Sequence, residues 1–155
     1  ISLVLLYLFV WSLLAYSDPP TDMTKKMVEE KPENIKKNYS ENSKLAIIQF
    51  PNNSTIPDNS AQAVINEISR LYKNSKFMLI GHSSSLGSET SAGKKINMEI
   101  SFARANTIKK MLIEQGFSKD DIFIQGRGDL EPLQDASKNY GEAANRRVEI
   151  FFISE

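Results

Sequence analysis

The chain has 155 residues, of which 41% are hydrophobic and 25% are charged, and its formal net charge is zero. This composition is typical of one globular domain with extensions, and the charge balance argues against nucleic acid as the main partner because phosphate binding needs a cationic surface. With no cysteine and a single histidine, the sequence excludes disulfides, thiolate nucleophiles, a lipid-acylated cysteine and multi-histidine metal sites. We therefore expect neither a cofactor nor a metal.

Residues 1–17 are predicted to direct the chain to a membrane. The stretch ISLVLLYLFVWSLLAY carries no charge, but it is shorter than the about 20 residues of a spanning helix. Because the sequence starts at Ile rather than Met, we expect further residues upstream. Two interpretations remain open: the end of a membrane anchor, or the core of a signal peptide cleaved after Ala15-Tyr16-Ser17. Both send the rest of the chain across a membrane.

Residues 18–43 are predicted to form a charged linker. The stretch contains three prolines, mixed charges and few large apolar side chains, so it cannot build a core of its own. A flexible segment of this length spans very roughly 30 Å. We predict that the folded domain occupies residues 44–155.

The first half of that domain is predicted to begin strand, helix, strand. Leu45–Phe50 is a short apolar run with β-branched residues, typical of a strand. Asp58 is a candidate N-cap for an amphipathic helix over Asn59–Tyr72. KFMLIGH, residues 76–82, is almost continuously apolar and indicates an inner strand covered on at least one face. The polar stretch Gly81–Lys95 follows and is predicted to be a long loop.

The second half is predicted to contain one long helix and two strands. Asn97 is a candidate N-cap for a helix over Met98–Gln115, which Gly116 ends. Strands are predicted at residues 121–126 and 147–153, with a short helical turn at 140–146 between them. The order β-α-β-α-β-(turn)-β predicts an α/β sandwich, a four-stranded sheet with helices packed on it.

Several motifs on these elements resemble one known family. The chain carries Ile80-Gly81-His82 at a strand end, then NxxISxxRA from Asn97 to Ala105, then GxGDxxP from Gly126 to Pro132, then NRRVEI from Asn145 to Ile150. This succession resembles the OmpA-like, peptidoglycan-associated domain over about residues 45–153. The resemblance implies a non-catalytic bacterial module, with its domain in the periplasm, that holds the diaminopimelate residue of a cell-wall stem peptide.

The resemblance also implies which residues contact that ligand. A guanidinium at Arg104, placed near a helix start, can grip a carboxylate with two parallel hydrogen bonds. The further candidates are Ser83, Ser84, Asn97, Glu89 and Arg147. The family loop usually reads Gly-His-Thr-Asp, whereas Ser84 occupies the aspartate position here. A hydrogen bond to a charged group contributes about 1.5–3 kcal/mol, so its loss weakens binding about 10- to 100-fold unless Glu89 replaces the carboxylate.

Two other function classes compete with wall binding. Hydrolysis by Ser83, Ser84 or Ser85 is disfavoured because the only histidine is adjacent in sequence, where strand side chains point to opposite faces. The chain is therefore predicted not to be an enzyme. The remaining alternative is a domain that has lost wall binding and uses the Gly87–Ile96 loop to contact a protein partner.

Overall fold

A computed structural model describes residues 43–133 and 141–153. The predicted membrane segment 1–17 and all but the last residue of the predicted linker 18–43 lie outside the described residues. The described elements are four strands, two α-helices and two short 3-10 helices. In chain order they are β1 Lys44–Gln49, α1 Ala61–Leu71, β2 Lys76–Gly81, α2 Ser91–Glu114, the 3-10 turn Lys119–Asp121, β3 Ile122–Gly126, the 3-10 turn Gly141–Asn145 and β4 Arg147–Ile153.

The four strands form one sheet in the order β1-β4-β2-β3. β4 runs antiparallel to both neighbours, with Ile48 opposite Val148 in β1 and Leu79 opposite Ile150 in β2. β2 and β3 are parallel, and α2 crosses between them. The α/β sandwich predicted from the sequence, a four-stranded sheet with helices packed on it, is confirmed.

The core lies between the sheet and the two helices. Alternate residues of the strands point toward the helices, and helical positions three and four apart point back, as the periods of 2 and 3.6 require. The fully buried residues on these two surfaces include Ile48, Ile65, Phe77, Leu79, Ala105, Ile108, Leu112 and Ile150. The opposite side of β2 and β4 is also buried, at Met78, Ile80 and Phe151. This agrees with the near-continuous hydrophobicity of KFMLIGH.

The first helix starts slightly later than predicted. α1 begins at Ala61, and Ser60 occupies the N-cap position without a side-chain capping bond. Asp58 instead fixes the preceding turn, since its Oδ1 accepts hydrogen bonds from the backbone N–H of Ser60 at 3.0 Å and from the Ser60 hydroxyl. Asp58 therefore shapes the entry to α1 and is not its N-cap.

The predicted start of the second helix is wrong. α2 begins at Ser91, and its N-cap is Thr90, whose hydroxyl accepts a hydrogen bond from the Gly93 N–H at 3.0 Å. Asn97, predicted as the cap, lies inside the helix and is buried. The Gly87–Ile96 stretch is therefore no long loop, because residues 91–96 form the first turns of α2. Arg104 lies thirteen residues beyond Ser91, more than three turns from the helix start, so the helix N-terminus does not favour an anion there.

In the part of the chain that the structure describes, neither helix combines the length and hydrophobicity needed to span a bilayer. The same residues hold no cluster of three or more His, Cys, Asp or Glu side chains suited to a metal ion.

Candidate functional site

The sheet topology brings three connections to one edge. Because β4 is antiparallel to β1 and β2, the start of β4 lies beside the ends of both neighbours. The residues after β1, the residues after β2 and the residues before β4 therefore meet. Backbone hydrogen bonds join these connections, from Phe50 N–H to the Arg146 carbonyl at 2.9 Å and from His82 N–H to the Arg147 carbonyl at 2.8 Å.

A cavity of about 150 Å³ opens at this edge. It is small beside pockets for drug-sized ligands, which measure about 300–1,000 Å³, so it suits one end of an amino acid. Its polar lining comes from all three connections and from α2. The polar side chains are Asn52, Asn53, Ser83, Ser84, Asn97, Arg104 and Arg146.

Arg104 is the most buried charged group of the cavity, with 1% of its surface exposed. It projects from α2, and its guanidinium donates to the carbonyls of Ser54 at 2.9 Å and His82 at 3.0 Å, with a longer contact of 3.5 Å to Pro51. The Phe50 ring lies against it, with the guanidinium carbon 5.4 Å from the ring centroid. These bonds fix the guanidinium between the β1 and β2 connections.

The charge of Arg104 is balanced only by neutral acceptors among the described residues. Burial, and then the positive charge of Arg146, lower its pKa to about 10, so Arg104 remains charged at neutral pH. A guanidinium has five N–H groups, and the bonds described above use one on each nitrogen. Two N–H groups are thus left for an anionic ligand, which is the usual compensation for a buried cation.

Ser83 contributes an unused hydroxyl. The residue is 3% exposed, and its Oγ has no hydrogen-bond partner among the described residues. Its backbone N–H is fixed by the Gly128 carbonyl at 2.8 Å, so the side chain is held at the cavity wall. Buried hydroxyls nearly always find a partner, so an unpaired hydroxyl on a residue of the cavity lining makes Ser83 a candidate ligand contact. Ser84, 7% exposed, lies beside it.

Asn97 shapes the cavity through the loop before α2. Its Nδ2 donates to the Leu86 carbonyl at 3.1 Å and to the Ser88 hydroxyl at 2.9 Å. The loop also packs closely on the helix, because a Cβ added to Gly93 would lie 1.7 Å from the Gly87 carbonyl oxygen. Asn97 therefore contributes both to the cavity wall and to loop position.

Glu142 joins this loop to the 3-10 turn before β4. Its carboxylate accepts hydrogen bonds from the Ser85 N–H at 2.9 Å, from the Ser85 hydroxyl at 2.6 Å and from Asn145 Nδ2 at 2.9 Å. The Ser85 and Asn145 bonds, together with the charge of Arg146, hold the pKa of Glu142 below its usual range. The Asn145 Oδ1 also accepts from the Leu133 N–H at 3.0 Å, so this side chain connects the turn to the segment after β3.

Two predicted site residues are not brought to the cavity. Glu89 is exposed and lies outside the lining. Arg147 points to the other side of the sheet, where its Nε donates to Glu149 at 2.7 Å and its Nη2 to the Glu131 carbonyl at 3.2 Å. Burial opposes ionisation of Glu149, but the bonds and charges of Arg147 and Lys44 outweigh it and keep the pKa of Glu149 below its usual range.

Three polar residues of the cavity lining were not among the predicted ligand contacts. Asn52 and Asn53 follow β1, and Arg146 precedes β4. Only their positions in the chain could have indicated this role. Polar residues that follow one strand and polar residues that precede its antiparallel neighbour gather at the same edge of the sheet. Arg146 also donates to the Phe50 carbonyl at 3.3 Å, so it links the start of β4 to the β1 connection.

Two larger depressions of about 400 and 440 Å³ lie elsewhere on the surface. One lies around Lys73 and Phe117, and the other is a mainly apolar groove between α1 and β1. Neither lining includes a buried charged side chain, so the smaller cavity remains the better candidate for specific recognition.

Comparison of the sequence with known families gives one match, in which the model of the OmpA family covers residues 49–146. The chain belongs to the OmpA family. Among its relatives, the probable lipoprotein YiaD of Escherichia coli K12 is 34% identical over 113 residues, 67% of this chain and 49% of that protein. Outer membrane protein A of Bordetella avium is 35% identical over 71 residues, 46% of this chain and 34% of that protein. The OmpA-family chain thus spans half or less of these relatives.

Solved structures support the same fold. The peptidoglycan-associated lipoprotein of Burkholderia pseudomallei superposes with a TM-score of 0.61 at 16% identity, covering 70% of this chain and 90% of that one. The cell wall anchor of the T6SS from Pseudomonas aeruginosa gives a TM-score of 0.56 at 26% identity, covering 70% of this chain and 80% of that one. OmpA-like domains are cell-envelope modules associated with peptidoglycan, and they are structural domains rather than enzymes.

Proposed function

We propose that this chain is a non-catalytic peptidoglycan-binding module that tethers a bacterial membrane to the cell wall. The N-terminal segment provides the membrane attachment, the charged linker spans the gap, and the OmpA-family domain grips the diaminopimelate residue of a stem peptide. The observation that carries the proposal is the pairing of a buried Arg104 with an unsatisfied Ser83 hydroxyl in one cavity.

The chemistry of this pair suits a carboxylate. The two uncommitted N–H groups of Arg104 can form charge-assisted hydrogen bonds, which are about twice as strong as neutral ones. The Ser83 hydroxyl can donate to the same carboxylate or accept from a neighbouring N–H group. Because the cavity holds about 150 Å³, it accommodates the end of a side chain while the rest of the stem peptide lies outside.

Co-sedimentation with purified peptidoglycan sacculi tests the proposal. The full 155-residue chain, kept in mild detergent because residues 1–16 are apolar, is compared with Ser83→Ala and Arg104→Ala. We expect wild type to pellet with the sacculi, Ser83→Ala to bind about 10-fold more weakly and Arg104→Ala to stay in solution. Ser83→Ala removes a hydroxyl that has no hydrogen-bond partner in the described part of the chain, so its thermal stability is expected to match wild type.

The matched control is Arg70→Ala, which removes an exposed guanidinium paired with Glu67 on α1. This variant is expected to pellet like wild type. Wild type that fails to pellet, or Arg104→Ala that pellets fully while folded, would show that the cavity does not hold the wall.

A second candidate is an OmpA-family domain that has lost wall binding and contacts a protein partner. The observation that favours it is Ser84, where the family loop has an aspartate. The Gly87–Ile96 stretch predicted to contact a partner is not one long loop. The surface for a partner would instead combine the loop up to Thr90 with the exposed first turns of α2. If this candidate holds, wild type stays in the supernatant, and Ser84→Asp restores co-sedimentation only if the rest of the cavity is still competent.

A further inference from the structure

The cavity carries an unusual excess of positive charge. Arg104 and Arg146 both line it, and no carboxylate is found among its lining residues in the described ranges 43–133 and 141–153. The two guanidinium groups are close enough for the charge of Arg146 to lower the pKa of Arg104. A ligand that enters therefore meets two cations and neutral polar groups.

Nearby carboxylates offset this excess only from outside the cavity, as Glu142 does through its interaction with Arg146. Glu142 lies outside the lining, and its two oxygens already accept three hydrogen bonds from Ser85 and Asn145. Glu89 is exposed and also lies outside the lining. Glu149 is on the opposite side of the sheet, where it pairs with Arg147 and Lys44.

We propose that this cavity selects a carboxylate whose neighbouring amine is acylated, in preference to a carboxylate beside a free ammonium group. The inference rests on the proposed function, and it specifies which chemical form of the stem peptide the domain holds. In a cell wall, the side-chain amine of a stem peptide becomes an amide where two stems are cross-linked. The domain would thus bind cross-linked stems more tightly than free ones.

The physical reason is the balance of charge and hydrogen bonds. A free ammonium group has no anionic partner among the described residues that line the cavity and is repelled by two guanidinium groups. An amide is neutral, and its carbonyl can accept from the unpaired Ser83 hydroxyl or from the side chain of Asn52 or Asn53. Serine at position 84 is also smaller than aspartate, which leaves room for the carbonyl.

The experiment compares two preparations of the same sacculi, one native and one with its free amines acetylated by acetic anhydride. The full chain in mild detergent is measured as wild type, Ser84→Asp and Arg104→Ala. We expect acetylation to tighten wild-type binding. It should weaken Ser84→Asp roughly 10-fold, because the introduced carboxylate loses its ammonium partner. Arg104→Ala should bind neither preparation.

Each outcome separates this inference from the function on which it rests. Wild type that binds native sacculi but binds acetylated sacculi equally or more weakly keeps the proposed function and overturns the inference. Wild type that binds neither preparation overturns both. If Arg104→Ala binds acetylated sacculi as well as wild type does, the binding lies outside the cavity and the inference is again overturned. Thermal unfolding of each variant confirms that a loss of binding is not a loss of fold.

A second variant tests the charge argument without altering the loop. Arg146→Gln keeps a hydrogen-bond donor beside the Phe50 carbonyl but removes one of the two positive charges. We expect this variant to discriminate less against native sacculi than wild type does. The ratio of its binding to acetylated sacculi over its binding to native sacculi should therefore fall by several-fold compared with the same ratio for wild type. An unchanged ratio would mean that Arg146 does not set the preference.

Discussion

His82 lies directly after β2, 1% exposed, and neither ring nitrogen has a hydrogen-bond partner among the described residues. Burial is the main cause that lowers its pKa to about 3, and the positive charge of Arg147 adds to it. Glu149, whose Oε1 is 3.9 Å from His82 Nε2, opposes the shift but does not cancel it. The ring is therefore neutral at any physiological pH and acts as a packed core residue.

This burial predicts that the domain loses stability in mild acid. Unfolded His82 takes up a proton near its ordinary pKa of 6.5, whereas the folded domain does not until about pH 3. The contribution of neutral, buried His82 to the free energy of unfolding is thus complete above about pH 7. It is lost as the pH falls, by about 2 kcal/mol between pH 7 and pH 5. Urea unfolding at both pH values measures the loss, and His82→Gln is expected to remove most of it. A variant with the same pH dependence as wild type would contradict the assignment.

Arg146 and Arg147 illustrate how far sequence reasoning reaches at this scale. Adjacent residues of an extended chain face opposite ways, so the sequence predicts that at most one of them lines a given pocket. Which one it is depends on the residue at which β4 begins, and strand ends are hard to locate from sequence. The structure starts β4 at Arg147 and places Arg146 at the cavity. A motif in the sequence identified Arg104 as a candidate. Nothing in the sequence predicted that its guanidinium would be buried against backbone carbonyls.

At the scale of single elements, the first turns of α2 were the least predictable part of the domain. Residues 91–96 are exposed apart from a half-buried Gly93, so they show no apolar face and no helical period. The sequence signals that remain, glycines and serines, are typical of a loop. The helix forms there because Thr90 caps it and because Gly93 lets its backbone approach Gly87.

Substitution of the cap tests this helix start. Thr90→Ala removes the acceptor for the Gly93 N–H and is expected to lower the free energy of unfolding by about 1 kcal/mol. Thr90→Ser keeps the hydroxyl and should cost little. Chemical denaturation measures both, and amide hydrogen exchange is expected to rise at residues 91–96 in the alanine variant alone. Equal losses in the two variants would argue against a cap at residue 90.

At the scale of the whole molecule, the order of strands and helices follows from hydrophobic periodicity and was predicted correctly. The strand order β1-β4-β2-β3 depends on contacts between residues far apart in the chain, and local patterns do not encode it. A four-stranded sheet was therefore predicted from the sequence, but no strand order. β2 and α2 also approach each other closely, at a residue whose lack of a side chain makes the contact possible.

That residue is Gly81, and its substitution is expected to disrupt the fold. A Cβ at this position would lie 1.8 Å from the Ser101 backbone oxygen, so α2 would have to move off the sheet. We expect Gly81→Ala to cost about 3 kcal/mol or more. Gly87→Ala is the control, since Gly87 has a positive φ of 83° but open space around it, and it should cost only about 1–2 kcal/mol. Similar melting temperatures for the two variants would refute the steric argument.

The pairing of β1 with β4 has a mechanical consequence for a tether. The chain enters the domain at Lys44, at one end of β1, while the cavity begins just beyond the other end, at Asn52. In the proposed tether, a pull between the membrane and the wall would run along β1, parallel to the strand and across its ladder of hydrogen bonds to β4, from Lys44 to Gln49. Those bonds would be loaded together in shear rather than opened one after another. The register of β1 on β4 would thus share the load among several hydrogen bonds.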